Sequence, residues 1–75
     1  MVNMDSILYK ISKVVGDIPT HVIYKGNSGD GKKYDVYKDD DVICRAVVKG
    51  NVMKIFKGRR YIGKELLSKE ELLKI

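Results

Sequence analysis

The stretch Val42-Ile43-Cys44-Arg45-Ala46-Val47-Val48-Lys49-Gly50-Asn51-Val52-Met53-Lys54-Ile55-Phe56-Lys57 decides the fold. Two strand-like runs are joined by Gly50-Asn51, a pair suited to a two-residue hairpin turn because glycine tolerates the positive φ that matches the twist of the flanking strands. Such a turn sets the register. Val48 then faces Met53, Ala46 faces Ile55 and Cys44 faces Lys57 on one side, which is the core side. On the other side Lys49 lies opposite Val52, Val47 opposite Lys54 and Arg45 opposite Phe56, since side chains alternate along a strand. Gly58-Arg59 offers a second turn of the same length, with an irregular exit as the competing reading. If the chain turns there, Arg60 to Gly63 returns as a short edge strand, with Tyr61 opposite Phe56 and Ile62 opposite Ile55.

Upstream of this hairpin the period stays at two. Thr20 to Lys25 reads as the first strand, Gly26 to Gly31 as a loop, and Lys33 to Lys38 as the second strand with Tyr34 and Val36 on one side. Asp39-Asp40-Asp41 reads as the next turn. Before Pro19 the period is helical: Met4, Ile7, Leu8, Ile11, Val14 and Val15 fall on one face. Asn3 or Asp5 can cap the start, Gly16, Asp17 and Pro19 end it, and Lys10 and Lys13 are expected on the wet side. At the other end Ser68 and Glu71 have the spacing of a capping box, with Leu67 and Leu72 placed as a hydrophobic staple, which predicts a short terminal helix. The predicted architecture is therefore one α+β domain over residues 1–75: an N-terminal amphipathic helix, an antiparallel meander of four or five strands, and a short C-terminal helix.

Composition agrees with a single small domain. At 75 residues the chain buries only about 60–65% of its extended surface, too little for two cores. With 44% hydrophobic and 33% charged residues it has the apolar content of a folded, soluble protein. A single cysteine, Cys44, excludes an internal disulfide and a thiol-rich zinc site, and a reducing cytoplasm is the expected location. Charges recur through the first eighteen residues, so neither a signal peptide nor a membrane span is expected. The N-terminal helix lacks the aromatic and basic rim of an interfacial helix, and a small sheet needs a helix to cover it.

Charge carries the functional hint. From Val42 to Lys64 the chain holds seven positive residues, Arg45, Lys49, Lys54, Lys57, Arg59, Arg60 and Lys64, and no acid, whereas the rest carries eight Lys or Arg against ten Asp or Glu. The whole net excess of +5 thus sits in one third of the sequence. A field of one sign favours an acidic or polyanionic partner. The register adds Phe56 and Tyr61 to the face of Arg45, Lys49 and Lys54, and exposed rings can stack on unpaired bases while neighbouring cations neutralise phosphates. The competing reading places both rings under a helix, with the cations solvated around them. The expected function is a non-enzymatic binding module contacting DNA or RNA, with Lys49, Lys54, Lys57, Arg59 and Arg60 on phosphates, Arg45 beside them, and Phe56 and Tyr61 for stacking. The alternative is a protein-interaction module, a small inhibitor or regulator of the kind phages encode, docking on an acidic protein surface as a monomer or homodimer.

Other chemistry finds little support. The Gly26 to Gly31 stretch precedes a strand, whereas phosphate loops lead into a helix, and its calcium-loop alignment puts Gly26 and Val36 where carboxylates are needed. Asp35 with Asp39 to Asp41 reads as a solvated turn, so no metal is expected, and no cofactor. His21 would serve a small ribonuclease as general base, with Arg59, Arg60 or Tyr61 stabilising the transition state, but no spacing supplies it a partner. The element order resembles that of double-stranded RNA-binding domains. Those carry a lysine cluster at the start of the second helix, however, and Lys64 to Glu71 here is acidic in balance, so their function does not carry over.

Overall fold

A computed structural model describes residues 4–75. Helix α1 spans Met4–Val15, strands β1 to β5 span His21–Ser28, Gly31–Lys38, Asp41–Lys49, Val52–Lys57 and Arg60–Leu66, and helix α2 spans Lys69–Lys74. The strands form one antiparallel sheet in the order β1-β2-β3-β4-β5, so every neighbour in sequence is a neighbour in space. This is the α+β architecture expected, with the fifth strand formed. The β3–β4 ladder pairs Arg45 with Phe56, Ala46 with Ile55, Val47 with Lys54, Val48 with Met53 and Lys49 with Val52. Gly50 sits at φ 62°, as the two-residue turn requires. The ladder ends at Arg45–Phe56, so the expected pairing of Cys44 with Lys57 is not part of it.

One face of the sheet builds the core. Tyr34, Val36, Cys44, Ala46, Val48, Met53 and Ile55 are buried there with Leu67, beneath Ile7 and Ile11 of α1. Val14 and Val15 of α1 and Leu72 and Ile75 at the C-terminal end pack against the same cluster.

The connections between strands depart from the sequence reading at three places. Gly26 to Gly31 is not a loop: β1 runs on to Ser28, and only Gly29 and Asp30 turn. A bulge at Lys25 and a positive φ at Gly26 let the strand resume after its kink. Gly31, at φ 127°, lies against β3 so closely that a Cβ would collide with the Val48 carbonyl oxygen. Second, the Asp39-Asp40-Asp41 turn is shorter than expected, with Asp41 already in β3 and Asp39 at φ 55°. Third, a bulge at Ile62 shifts the β4–β5 register, so Ile55 pairs with Gly63 rather than with Ile62. The reason is α1. A Cβ on Gly63 would meet a Val14 methyl at 2.8 Å, so the helix can settle only over a residue without a side chain. Beyond this bulge β5 continues past Gly63 to Leu66.

Helix α1 ends at Val15 before Gly16, at φ 80°, as expected, and differs from expectation at Asp5, Lys10 and Lys13. Asp5 lies inside the first turn of α1 rather than at a cap, and Asn3 lies outside the described residues. Lys10 and Lys13 do not simply point to water. The Lys10 ammonium donates to Glu71 Oε1 at 2.6 Å and to the Leu66 carbonyl at 2.8 Å, and Lys13 pairs with Glu65 at 3.2 Å. The capping box forms as read, with the Glu71 N–H donating to Ser68 Oγ at 3.1 Å and the Ser68 N–H donating to Glu71 Oε1 at 2.8 Å. The Ser6 hydroxyl donates to Glu71 Oε2 at 2.8 Å.

Glu71 is buried, and burial alone would raise its pKa. Hydrogen bonds from Lys10, the Ser68 N–H and Ser6 outweigh that effect and hold the carboxyl at about 2, below the ordinary 4.5. Because the folded-state value is lowered, the stabilisation is complete above about pH 5 and is lost as the pH falls through 4.5 towards 2. Glu71→Gln is expected to cost about 2–3 kcal/mol at neutral pH in urea denaturation, and to flatten the loss of stability over that acid range. At the other tight spot, Gly31→Ala should cost about 2 kcal/mol or more, because it meets both strain and the Val48 carbonyl. Gly50→Ala has positive φ but open space around it, and should cost only about 1 kcal/mol in the same assay.

Candidate nucleic-acid interface

Because both helices lie on the core side, the opposite face of the sheet is left uncovered among the described residues. Alternation along the strands sorts its side chains into rows that run across the sheet. One row contains Ile23, Asp35, Arg45, Phe56 and Tyr61, from β1 to β5. The next contains Lys33, Val47, Lys54 and Lys64, from β2 to β5, and a third contains Lys49, Val52 and Leu66. The Phe56 and Tyr61 rings meet at 5.6 Å between centroids and 62° between planes, an edge-to-face contact. Tyr61 is 49% exposed and Leu66 61% exposed, so these are surface groups rather than residues beneath a helix.

Positive charge dominates this face. Lys33, Lys49, Lys54 and Lys64 are exposed and make no ion pair among the described residues. Lys54 and Lys64 stand directly opposite one another on adjacent strands, an arrangement that destabilises a sheet by a few tenths of a kcal/mol. Of the acids, Asp35 is taken up by Arg45 at 3.4 Å. Asp30, at the β1–β2 turn, borders two shallow depressions that share Val47 and Phe56 as a common wall. One is completed by Lys49, Val52, Lys54 and Lys64, and the other by Lys33, Arg45, Ala46 and Gly58.

The eight residues expected at the interface therefore separate. Arg45, Lys49, Lys54, Phe56 and Tyr61 share the uncovered face. Lys57 and Arg60 pair with each other one step further along the hairpin, on the helix side, where Lys57 lies close enough to influence both Asp17 and Cys44. Arg59 is in the turn between β4 and β5, beside Val42 to Arg45. Two lysines belong with the face and were not singled out for it. Lys64 joins through the extension of β5. Lys33 lies outside the basic segment, and only the β2–β3 pairing places it there.

His21, Asp17 and Cys44 have local partners or surroundings away from this face. The His21 ring stacks on Tyr37 at 5.0 Å, and its Nδ1 is 2.9 Å from Thr20 Oγ1. It sits on β1, at the opposite edge of the sheet from Arg60 and Tyr61 on β5, so the structure does not bring the ribonuclease grouping together. Among the described residues no three His, Cys, Asp or Glu side chains are grouped to hold a metal ion, and no helix is long and apolar enough to cross a membrane. Asp17 is lowered by its hydrogen bond from Lys38 at 2.7 Å, a tie between the exit of α1 and β2. Cys44 is buried in the core, where desolvation pushes its thiol up to about 11 against a small opposing effect of Lys57. The chain matches no known protein family, no curated protein and no solved structure.

A thiol so placed reacts only when the core opens. Labelling of Cys44 by a thiol reagent should be slow in the native protein and should accelerate in parallel with unfolding across a urea titration. Rapid native labelling would contradict the burial described.

Proposed function

We propose that this protein is a non-enzymatic nucleic-acid-binding module that uses the uncovered face of its sheet. One observation carries the reading: the unpaired lysines Lys33, Lys54 and Lys64 form the row beside the exposed Tyr61 and its half-buried partner Phe56, with Lys49 one row further on, on a face that no helix covers among the described residues. Lys54 and Lys64 repel each other across the β4–β5 ladder, and a phosphate between them would turn that repulsion into attraction on both sides. Polyanion binding gains further from the release of counterions, which favours a lysine-rich face over isolated ion pairs. Arg45 is already engaged by Asp35 and is assigned a smaller part. Lys57, Arg59 and Arg60 border the site and contribute to the long-range field rather than to contact.

The test is fluorescence anisotropy of labelled nucleic acid titrated with protein at several salt concentrations. The parent should bind with log K falling steeply as log salt rises. Lys54→Glu with Lys64→Glu should weaken binding at least tenfold and reduce the salt slope by about 2. The paired reversal Arg59→Glu with Arg60→Glu should have the smaller effect. If the order of the two double variants were reversed, the interface would lie at the β4–β5 turn. If no nucleic acid bound near physiological salt, the face would be assigned to an acidic protein surface instead.

A further inference from the structure

We propose that the ligand of the uncovered face is a single-stranded nucleic acid laid across the strands, its phosphates along the Lys33–Lys54–Lys64 row and its unpaired bases on the Phe56–Tyr61 row. This rests on the nucleic-acid reading above and adds the form of the ligand and its direction.

The two rows differ in a way that fits the two halves of a nucleotide. The lysine row contains no acid of its own: Lys33, Val47, Lys54 and Lys64 follow one another across β2 to β5, and Lys33 and Lys64 are three strand spacings, about 14 Å, apart. The adjacent row holds the rings together with Asp35 and Arg45, whose charges are balanced against each other at 3.4 Å. A phosphate gains little there, whereas a base gains a π-face. Residues two apart on one side of a strand are separated by about 6.8 Å, so backbone and bases of one extended strand can lie on neighbouring rows.

Duplex does not use these features. Its bases are stacked on one another, so rings can reach only their edges through a groove, and groove reading calls for a projecting helix or ribbon. Here Phe56 and Tyr61 lie in a sheet face, with Phe56 half-buried and Tyr61 half-exposed. Stacking on an unpaired base is the contact open to such rings. The exposed Tyr61 is the primary platform, and Phe56 props it from the neighbouring strand. Asp30, on the wall between the two depressions, disfavours a phosphate over Val47 and so keeps the backbone at the lysines on either side.

Four probes of equal length decide it by anisotropy at fixed salt: an unstructured mixed-sequence single strand as DNA and as RNA, the corresponding DNA duplex, and an abasic strand that keeps the phosphates and lacks the bases. At least one of the two base-bearing single strands is expected to bind about tenfold tighter than the duplex and than the abasic strand. Tyr61→Ala should bring that single strand down to the level of the abasic one with the salt slope unchanged, and Tyr61→Phe should restore it; a thermal melt verifies that both variants fold. Whichever sugar binds more tightly identifies the source of the strand. Equal or tighter binding of duplex, or an unchanged affinity in Tyr61→Ala while the Lys54 and Lys64 reversals abolish binding, would overturn the single-strand proposal and leave the nucleic-acid reading standing. Failure of every probe to bind would overturn both.

Discussion

The buried carboxylate of Glu71 is the constraint on which the arrangement depends. It caps its own helix, receives Lys10 and Ser6 from α1, and so joins the two ends of the chain over one face of the sheet. A six-residue helix has almost no stability alone, whereas α1 buries Ile7 and Ile11 in the core and approaches β5 closely where Gly63 makes room for Val14. The Glu71 tie acts together with the packing of Ile7, Ile11, Val14 and Leu72 to hold both helices over the core. Because it holds both on one side, the other side of a five-stranded sheet stays open in a domain too small to supply a second layer.

The same arrangement explains how a modest net charge becomes a strongly polarised surface. Among the described residues, three ion pairs lie where the helices or their connections meet the sheet or each other: Lys10 with Glu71, Lys13 with Glu65, and Lys38 with Asp17. Glu71, Glu65 and Asp17 are thus engaged on the helix side, and the pair of Arg45 with Asp35 balances itself within the ring row. What remains on the uncovered face is a majority of lysine, with Asp30 at its border as the one acid among the described residues that lines the two depressions. The basic segment seen in the sequence is therefore not one patch. Strand alternation divides it, sending Lys49, Lys54 and Lys64 to one face and Lys57 with Arg60 to the other.

Much of this was legible in the sequence because the signals were local. The Gly50-Asn51 turn fixes the β3–β4 register by its length, the Ser68–Glu71 spacing announces the capping box, and the change of period after Pro19 separates helix from sheet. The errors fall where a distant element decides. The bulge at Ile62 answers to Val14, almost fifty residues earlier, and no pattern within β5 records it. Gly31 answers in the same way to the Val48 carbonyl, and the run from Gly26 to Ser28 is strand because it pairs with Gly31 to Lys33 beyond the bulge at Lys25. Lys10 and Lys13 fit a solvated face by helical periodicity, and their partners Glu71 and Glu65 become visible only once the C-terminal segment is folded over α1. Lys33 joins the site through a β2–β3 pairing whose own bulge at Ile43 defeats simple counting from the aspartate turn.

The opposed lysines Lys54 and Lys64 show how the site and the fold compete. A domain of this size has little stability to spare, of the order of 5 kcal/mol, and an unneutralised cross-strand pair of like charges works against it. The Ile62 bulge creates that pair. With regular pairing from Phe56–Tyr61 onwards, Lys54 would face Gly63 and the repulsion would be absent. The bulge is nonetheless required by the core, since it delivers Gly63 rather than Ile62 beneath Val14. One inserted residue thus seats the N-terminal helix on one side of the sheet and sets two ammonium groups face to face on the other. The packing of the core and the charge of the open face are consequences of the same register.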